Sequence, residues 1–444
     1  MLEGWSVPGT PIEYNRAAVL RWRIEGAAPR VVLVLSPGFS GGAGLFRRLA
    51  PAIVERTAGA AEVWVIDRRS NFLEDRSGFL EGERRGDPAV PLYYYLAPGG
   101  GWNRLKHEDV PWMAGWGLEV ALEDIRCVLT RAHRERPGAR VVLGGHSLGG
   151  MLSQAYAAAE FRDGMAGWTD IDGILLIDGC MRGPKAAEFR GQGAATYGML
   201  RKGLRFWEDW ERIVAPEVAI AAGIAAMAAV LPEWGTRMSI LKDAIPQLGA
   251  HAGAVVRRLT HAGRLTNRAL FGLLVDDLTA PSAMARAHVG FGIPMDGSEL
   301  QPLLDWCDGP GSGEPGDIAA YASLLRHHPD ADGMEWYCPI RLNADLDMLQ
   351  DIDSENVPVA SRALAPDFIV HNASVAVPIL AIVNLDHPGG EPEHARWYRS
   401  SVASSDFTIV PAAGYAHMDP LVARPEENVA LDAAVEWTMS RFCL

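Results

Sequence analysis

The sequence has few cysteines and no long apolar stretch, and both absences exclude classes of protein. Its 444 residues include five cysteines, which are widely spaced, odd in number and without a CxxC pair. A disulfide framework or a zinc site is therefore not expected. The most apolar stretch, Val218 to Leu231, has 14 residues and is too short to span a bilayer. We expect free thiols and no integral membrane segment.

Positive charge is also scarce. Lys and Arg number 41 against 55 Asp and Glu, and the formal net charge is −14 at pH 7. Such a surface repels phosphate groups, so we do not expect nucleic acid as a partner. The N-terminus lacks the basic and then apolar pattern of a secretory signal, which predicts a cytoplasmic location.

Short apolar runs alternate with helical patterns at both ends of the chain. This alternation predicts an α/β protein with one open, doubly wound, mostly parallel sheet. The predicted strands cover residues 19–24, 31–35, 63–66, 141–143, 174–177, 377–383 and 407–410, and the predicted helices cover 43–57, 116–136, 151–161, 393–400 and 426–441.

The alternation stops between residues 182 and 365, which are rich in Ala, Trp and Met with helical patterns. We therefore predict a large, mainly helical insertion at 182–365. It separates a first part of the core, 1–181, from a second part, 366–444.

Residues 71–113 also break the rhythm, because they are rich in Gly, Pro and aromatic residues. Two interpretations stay open. The segment is either a functional loop whose aromatic residues contact substrate, or an excursion whose aromatic residues pack on their own domain. The candidate substrate-binding residues in it are Tyr93, Tyr94 and Tyr95.

One short motif carries the chemistry. Residues 145–149, GHSLG, match G-x-S-x-G, follow a buried strand and open a small-residue helix. This context is typical of a nucleophile elbow, in which a tight turn strains the serine backbone. Side chains at Gly145 and Gly149 would collide with neighbouring elements. The motif predicts Ser147 as a nucleophile.

A serine hydroxyl needs a base, and the base needs an acid that fixes its tautomer. His417 lies in GYAHMDP, between the last strand and the last helix, and is the predicted base. Asp386, just after the strand at 377–383, is the preferred acid. Asp178, at the end of the preceding strand, is the alternative.

A tetrahedral intermediate also needs hydrogen-bond donors for its oxyanion. The backbone N–H of Leu148, which follows the nucleophile, is one predicted donor. The loop Pro37-Gly38-Phe39 follows an early strand, and the N–H of Phe39 is the predicted second donor. The Phe39 side chain is also a candidate for the acyl pocket.

Taken together, GHSLGG, the Pro-Gly-Phe loop, the late Asp386 and the closing GYAHMDPL resemble the α/β-hydrolase superfamily, over about residues 10–181 and 366–444. The resemblance implies an eight-stranded, mostly parallel sheet flanked by helices. It implies a Ser-His-Asp triad and oxyanion hole at the residues named above. It places the insertion at 182–365 where this superfamily has its cap or lid.

The expected function is therefore a serine hydrolase that cleaves a carboxylic ester of a small-molecule substrate without metal or organic cofactor. The apolar stretch in the insertion suggests a hydrophobic or bulky substrate, although such a helix can instead pack inward or against a second subunit in a homodimer. Thioester, lactone, amide and carbon–carbon bond cleavage use the same triad and stay open. A non-catalytic binding protein on this fold is the rival hypothesis.

Overall fold

The structure is a computed structural model of the chain. It describes residues 1–181, 183, 187–207, 216–243, 264–295, 303–308, 312–349, 369–370, 372–386 and 392–443. The strands are β1 (Leu2–Glu3), β2 (Arg16–Trp22), β3 (Val31–Ser36), β4 (Ala61–Asp67), β5 (Arg140–His146), β6 (Ala159–Glu160), β7 (Gly173–Ile177), β8 (Arg264–Leu265), β9 (Phe291–Pro294), β10 (Leu303–Cys307), β11 (Ile369–Val370), β12 (Ile379–Asn384) and β13 (Phe407–Ala412).

Helices lie between most of these strands. They are α1 (Leu49–Arg56), α2 (Ser77–Arg85), α3 (Ala89–Pro91), α4 (Leu118–Glu135), α5 (Leu148–Ala158), α6 (Ala187–Arg201), α7 (Pro216–Val230), α8 (Asn267–Val275), α9 (Ile318–Leu325), α10 (Ile340–Met348), α11 (Pro392–Ser401), α12 (Asp419–Val422) and α13 (Val429–Phe442).

Eight strands form one sheet in the order β1-β2-β4-β3-β5-β7-β12-β13. All neighbours from β4 to β13 are parallel, whereas β1 and β2 are antiparallel at one edge. This confirms the predicted eight-stranded, mostly parallel sheet. Because the parallel strands point the same way, the loops after β3, β5, β7 and β12 open on one edge, where a site can form.

Strand β3 explains why the sheet is covered on both faces. Its six residues are all buried, and its side chains alternate between two apolar clusters. Val31, Leu33 and Leu35 belong to the cluster that contains residues of α1 and α13, whereas Val32 and Val34 belong to the cluster that contains residues of α4, α5 and α11. A continuous β-branched run is the pattern expected of such a two-sided strand.

Between β7 and β12, the described residues form the helices α6 to α10 and a small sheet in the order β8-β10-β9. The sheet was not predicted, because its strands are short and the pairing of β9 with β10 is set by tertiary contact. Trp207 and Phe271 of this part share one apolar cluster with the main sheet.

The apolar helix α7 is packed inward. Most of its side chains are buried, among them Ile220, Ile224 and Met227. Burial within the protein therefore explains the apolar composition of this helix. This favours the interpretation that the helix packs inward over the interpretation that it faces the substrate. Among the described residues, none of the helices is both long and apolar enough to cross a bilayer.

Candidate active site

The turn from β5 to α5 has the conformation expected of a nucleophile elbow. Ser147 lies between the two elements with φ 54° and ψ −120°, a backbone conformation that residues other than glycine rarely adopt. Its N–H donates to the carbonyl of Ile177 at 3.0 Å, and its own carbonyl accepts from Gly150 at 2.9 Å. These bonds from β7 and α5 hold the serine in a strained conformation.

The glycines on either side of Ser147 are required by space. A Cβ atom at Gly145 or at Gly149 would overlap with the carbonyl oxygen of Ser36, at the end of β3. A Cβ atom at Gly179, after β7, would overlap with the carbonyl of Ser147. The elbow therefore fits only because three glycines let the backbones approach closely.

His417 is held by a carboxylate at the end of β7. Its Nδ1 lies 2.6 Å from Oδ2 of Asp178, and the two side chains are 8% and 3% exposed. The other oxygen of Asp178 accepts from the backbone N–H of Asn384 at 3.1 Å. Asp178 thus binds one N–H with each oxygen. Since its backbone follows Ile177, it lies beside the elbow.

The preferred acid, Asp386, is not the residue that the structure places on His417. Asp386 is exposed, and its backbone N–H donates to the carbonyl of Tyr415 at 3.1 Å. The correction has a physical reason. The loop after β13 reaches back to His146 at the end of β5, and β7 lies between β5 and β12, so the imidazole of His417 lies nearer to the end of β7. Asp178, the alternative acid, has the required contact.

Two further side chains hold the loop of His417. Nε2 of His146 lies 2.9 Å from the carbonyl oxygen of His417, and the two imidazole rings are 4.5 Å apart. The amide of Asn384 donates to the carbonyl of Ala416 at 2.7 Å. His146 precedes Ser147, so its contact brings the His417 ring to the elbow. Neither contact is visible in the sequence, because each joins residues that are far apart along the chain.

One predicted oxyanion donor belongs to Leu148, next to Ser147, and the other belongs to a loop that lies against Ser147. Leu148 is the first residue of α5, where the backbone N–H has no carbonyl from a preceding turn. A Cβ atom at Gly38 would be 3.3 Å from Cβ of Ser147, so the loop that contains Phe39 lies against the serine. Phe39 itself is half-buried.

Two of the three tyrosines predicted to bind substrate contact Asp75 in their own segment. The Tyr95 hydroxyl donates to the carbonyl of Asp75 at 2.8 Å, and the Tyr94 hydroxyl donates to the Asp75 carboxylate at 2.7 Å. Tyr95 is buried against Trp336, whereas Tyr93 is 65% exposed. For Tyr94 and Tyr95, these contacts favour packing within the protein, partly against the insertion at 182–365, over contact with substrate.

The segment between β7 and β12 contacts the loop of His417 as well. Nδ1 of His288 lies 2.5 Å from Oδ2 of Asp419, two residues after His417, and the His288 backbone N–H donates to Oδ1 at 2.8 Å. The hydrogen bond to Asp419 raises the pKa of His288 to about 9. His288 is therefore protonated at neutral pH and forms an ion pair with Asp419. The closing GYAHMDPL motif contains Asp419, but the sequence alone does not identify its partner.

Known structures resemble this architecture. No protein-family model and no curated protein sequence matches the chain. A lipase candidate from Sulfolobus solfataricus is 15% identical, with 99% of this chain and 93% of that chain covered and a TM-score of 0.52. A soluble variant of monoglyceride lipase from Saccharomyces cerevisiae is 11% identical, with coverages of 96% and 92% and a TM-score of 0.41.

The likeness to the first of these structures concerns the fold. Together with the strand order and the serine turn after β5, it defines the fold. The chain has the α/β-hydrolase fold.

Proposed function

We propose that this protein is a serine hydrolase that cleaves carboxylic esters through an acyl-enzyme on Ser147. His417 is the general base and Asp178 is the acid that orients it. The observation that carries the proposal is the buried contact of 2.6 Å between Asp178 and His417 beside the strained serine turn. A Ser-His-Asp set is recognised by such geometry and not by sequence position.

Each residue of the set has one task in the proposed reaction. Nε2 of His417 takes the hydroxyl proton as Ser147 attacks the ester carbonyl, and it returns that proton to the leaving alcohol. Asp178 keeps the other ring proton on Nδ1 and stabilises the imidazolium. The N–H groups of Leu148 and Phe39 bind the oxyanion of each tetrahedral intermediate. Water then attacks the acyl-enzyme with His417 again as base, the bond from the acyl group to Ser147 breaks, and His417 returns the proton to the Ser147 oxygen.

Apolar side chains near the serine favour a hydrophobic acyl group. Phe39, Met151 and Cys180 are each partly exposed. Phe39 follows Gly38, which lies beside Ser147. Met151 lies in α5, four residues after Ser147, and Cys180 follows Gly179. This support comes from the surroundings of the serine and not from α7, which is buried. An apolar group that leaves water for such surroundings gains free energy in proportion to its buried area.

A fluorophosphonate probe tests the proposal directly, because it reacts with a serine activated by a histidine. The intact protein should be labelled on the peptide that contains Ser147, as read by mass spectrometry. S147A should abolish labelling and ester hydrolysis, and H417A should reduce both strongly. Ser440, an exposed serine in α13, provides the matched control, and S440A should react like the wild type.

A folded wild-type protein that neither reacts with the probe nor hydrolyses any nitrophenyl ester of graded chain length would contradict the proposal. That result would favour a non-catalytic binding protein on this fold. Faster turnover of a lactone, a thioester or an amide than of every ester in the same panel would retain the triad and correct the bond type.

A further inference from the structure

The loop that contains Phe39 is held by a buried arginine. The guanidinium of Arg68, immediately after β4, donates to three carbonyl oxygens of this loop. The distances are 3.1 Å to Pro37, 2.8 Å to Gly38 and 2.6 Å to Gly41. The Arg68 side chain is 9% exposed. A planar guanidinium offers several donors in a rigid arrangement, so these bonds restrain the loop at three points.

The bond to Gly38 acts on the proposed oxyanion donor. The carbonyl of Gly38 and the N–H of Phe39 belong to one planar trans peptide group and point in opposite directions. Restraining the oxygen of Gly38 therefore fixes the direction of the Phe39 N–H. The N–H of Gly41 donates to the same oxygen at 3.1 Å, so Arg68 and the turn act together.

Arg68 is held in turn by a carboxylate from the segment between β7 and β12. Oε2 of Glu335 lies 2.6 Å from Nη2 and 3.1 Å from Nε of Arg68, and the Glu335 side chain is fully buried. The other carboxylate oxygen accepts from the hydroxyl of Ser70. A buried arginine without a counter-charge is strongly unfavourable, so Glu335 is required to keep Arg68 in place.

The backbone around Glu335 pairs with the same loop. The N–H of Glu335 donates to the carbonyl of Ser40 at 2.8 Å, and the N–H of Gly42 donates to the carbonyl of Gly333 at 3.0 Å. Residues 332–335 therefore pair with the loop through backbone hydrogen bonds, and the carboxylate of Glu335 reaches Arg68 from this segment.

We propose that Arg68 and Glu335 are positioning residues that orient the Phe39 N–H toward the oxyanion. The inference rests on the proposed hydrolase activity at Ser147. It gives Glu335, in the segment between β7 and β12, a part in orienting an oxyanion donor, beyond any role of that segment in covering the site. A misdirected N–H would weaken binding of the transition state more than binding of the substrate.

The test replaces both charges at once, so that neither is left buried alone. The variant R68M/E335Q should lower kcat on a nitrophenyl ester by a factor on the order of 10², while KM changes by less than about threefold. The affinity for an alkyl boronic acid should fall in step with kcat/KM, because its tetrahedral adduct on Ser147 places an oxygen where the oxyanion forms.

A matched control lies one residue further along the chain. Arg69 and Asp124 form a buried pair of the same kind, with an Nη2–Oδ1 distance of 2.6 Å, but Arg69 holds the carbonyl of Trp5. R69M/D124N should lose comparable stability to denaturant and keep kcat within about threefold of the wild type.

Equal kcat losses in the two double variants would overturn the inference, while an active wild type would leave the proposed function standing. A wild type that neither reacts with the fluorophosphonate probe nor hydrolyses any ester would overturn both. If R68M/E335Q does not fold, R68K takes its place, because lysine keeps the charge but cannot donate to all three carbonyls. Its kcat should fall about tenfold at unchanged KM, and a wild-type kcat for R68K would refute the proposal.

Discussion

The replacement of Asp178 by asparagine should force His417 into the wrong tautomer. Each oxygen of Asp178 accepts one N–H, from the backbone of Asn384 at 3.1 Å and from Nδ1 of His417 at 2.6 Å. Asparagine has one oxygen and one NH₂ group. The backbone N–H of Asn384 is always a donor, so it takes the oxygen, and the NH₂ group then faces Nδ1.

An NH₂ group at this place makes Nδ1 an acceptor and moves the ring proton to Nε2. Nε2 is the nitrogen that must accept the proton of Ser147, so the base is blocked in D178N although the side chains keep their shape. We expect kcat to fall about 10⁴-fold, which corresponds to about 5 kcal/mol of activation free energy. The fold should persist, because asparagine fills the same space.

The matched control is D386N, at the exposed aspartate after β12 that the sequence favoured. It should keep kcat within about twofold, as expected of a surface substitution. The assay is steady-state hydrolysis of a nitrophenyl ester, with circular dichroism to establish folding. A kcat for D178N within tenfold of the wild type, or an equally large loss in D386N, would refute the tautomer argument.

Two other predictions concern stability. G149A introduces a Cβ atom against the backbone carbonyl of Ser36 and should lower the free energy of unfolding by about 3 kcal/mol. G198A, in α6 with no atom near the new Cβ, should raise it by about 0.5–1 kcal/mol, and urea unfolding that fails to separate the two variants would contradict the packing argument. At His288 the hydrogen bond to Asp419 raises the pKa from 6.5 to about 9, so its stabilising contribution is complete below pH 6.5 and is lost as pH rises through 9. Between about pH 6 and pH 10, the free energy of unfolding should therefore fall by about 2 kcal/mol more in the wild type than in H288Q. The measurement is urea unfolding of both proteins over this pH range, and an equal fall in the two would refute the prediction.

The sequence by itself determined the sheet and the serine turn, because both depend on neighbouring residues. The β-branched run at 31–35 predicts a strand buried on both faces, and β3 covers Val31–Ser36 with every residue buried. The glycines around Ser147 predict a close approach of backbones, and the structure has that approach at the carbonyl of Ser36. These features are local, so their pattern is visible in a single stretch of chain.

Only the tertiary structure decided which residues meet at the ends of the strands. Asp178 and Asp386 both follow buried strands, and no local pattern says which one lies beside His417. The path of the loop after β13 decides it, since this loop contacts His146 at the end of β5 and thereby brings His417 to the end of β7, which lies between β5 and β12. The contact of Arg68 with Glu335 joins residues 267 positions apart, and a charged residue gives no sign of its partner in its own neighbourhood. The partner is set by how the chain crosses over and packs, because burial then requires each charge to meet an opposite one.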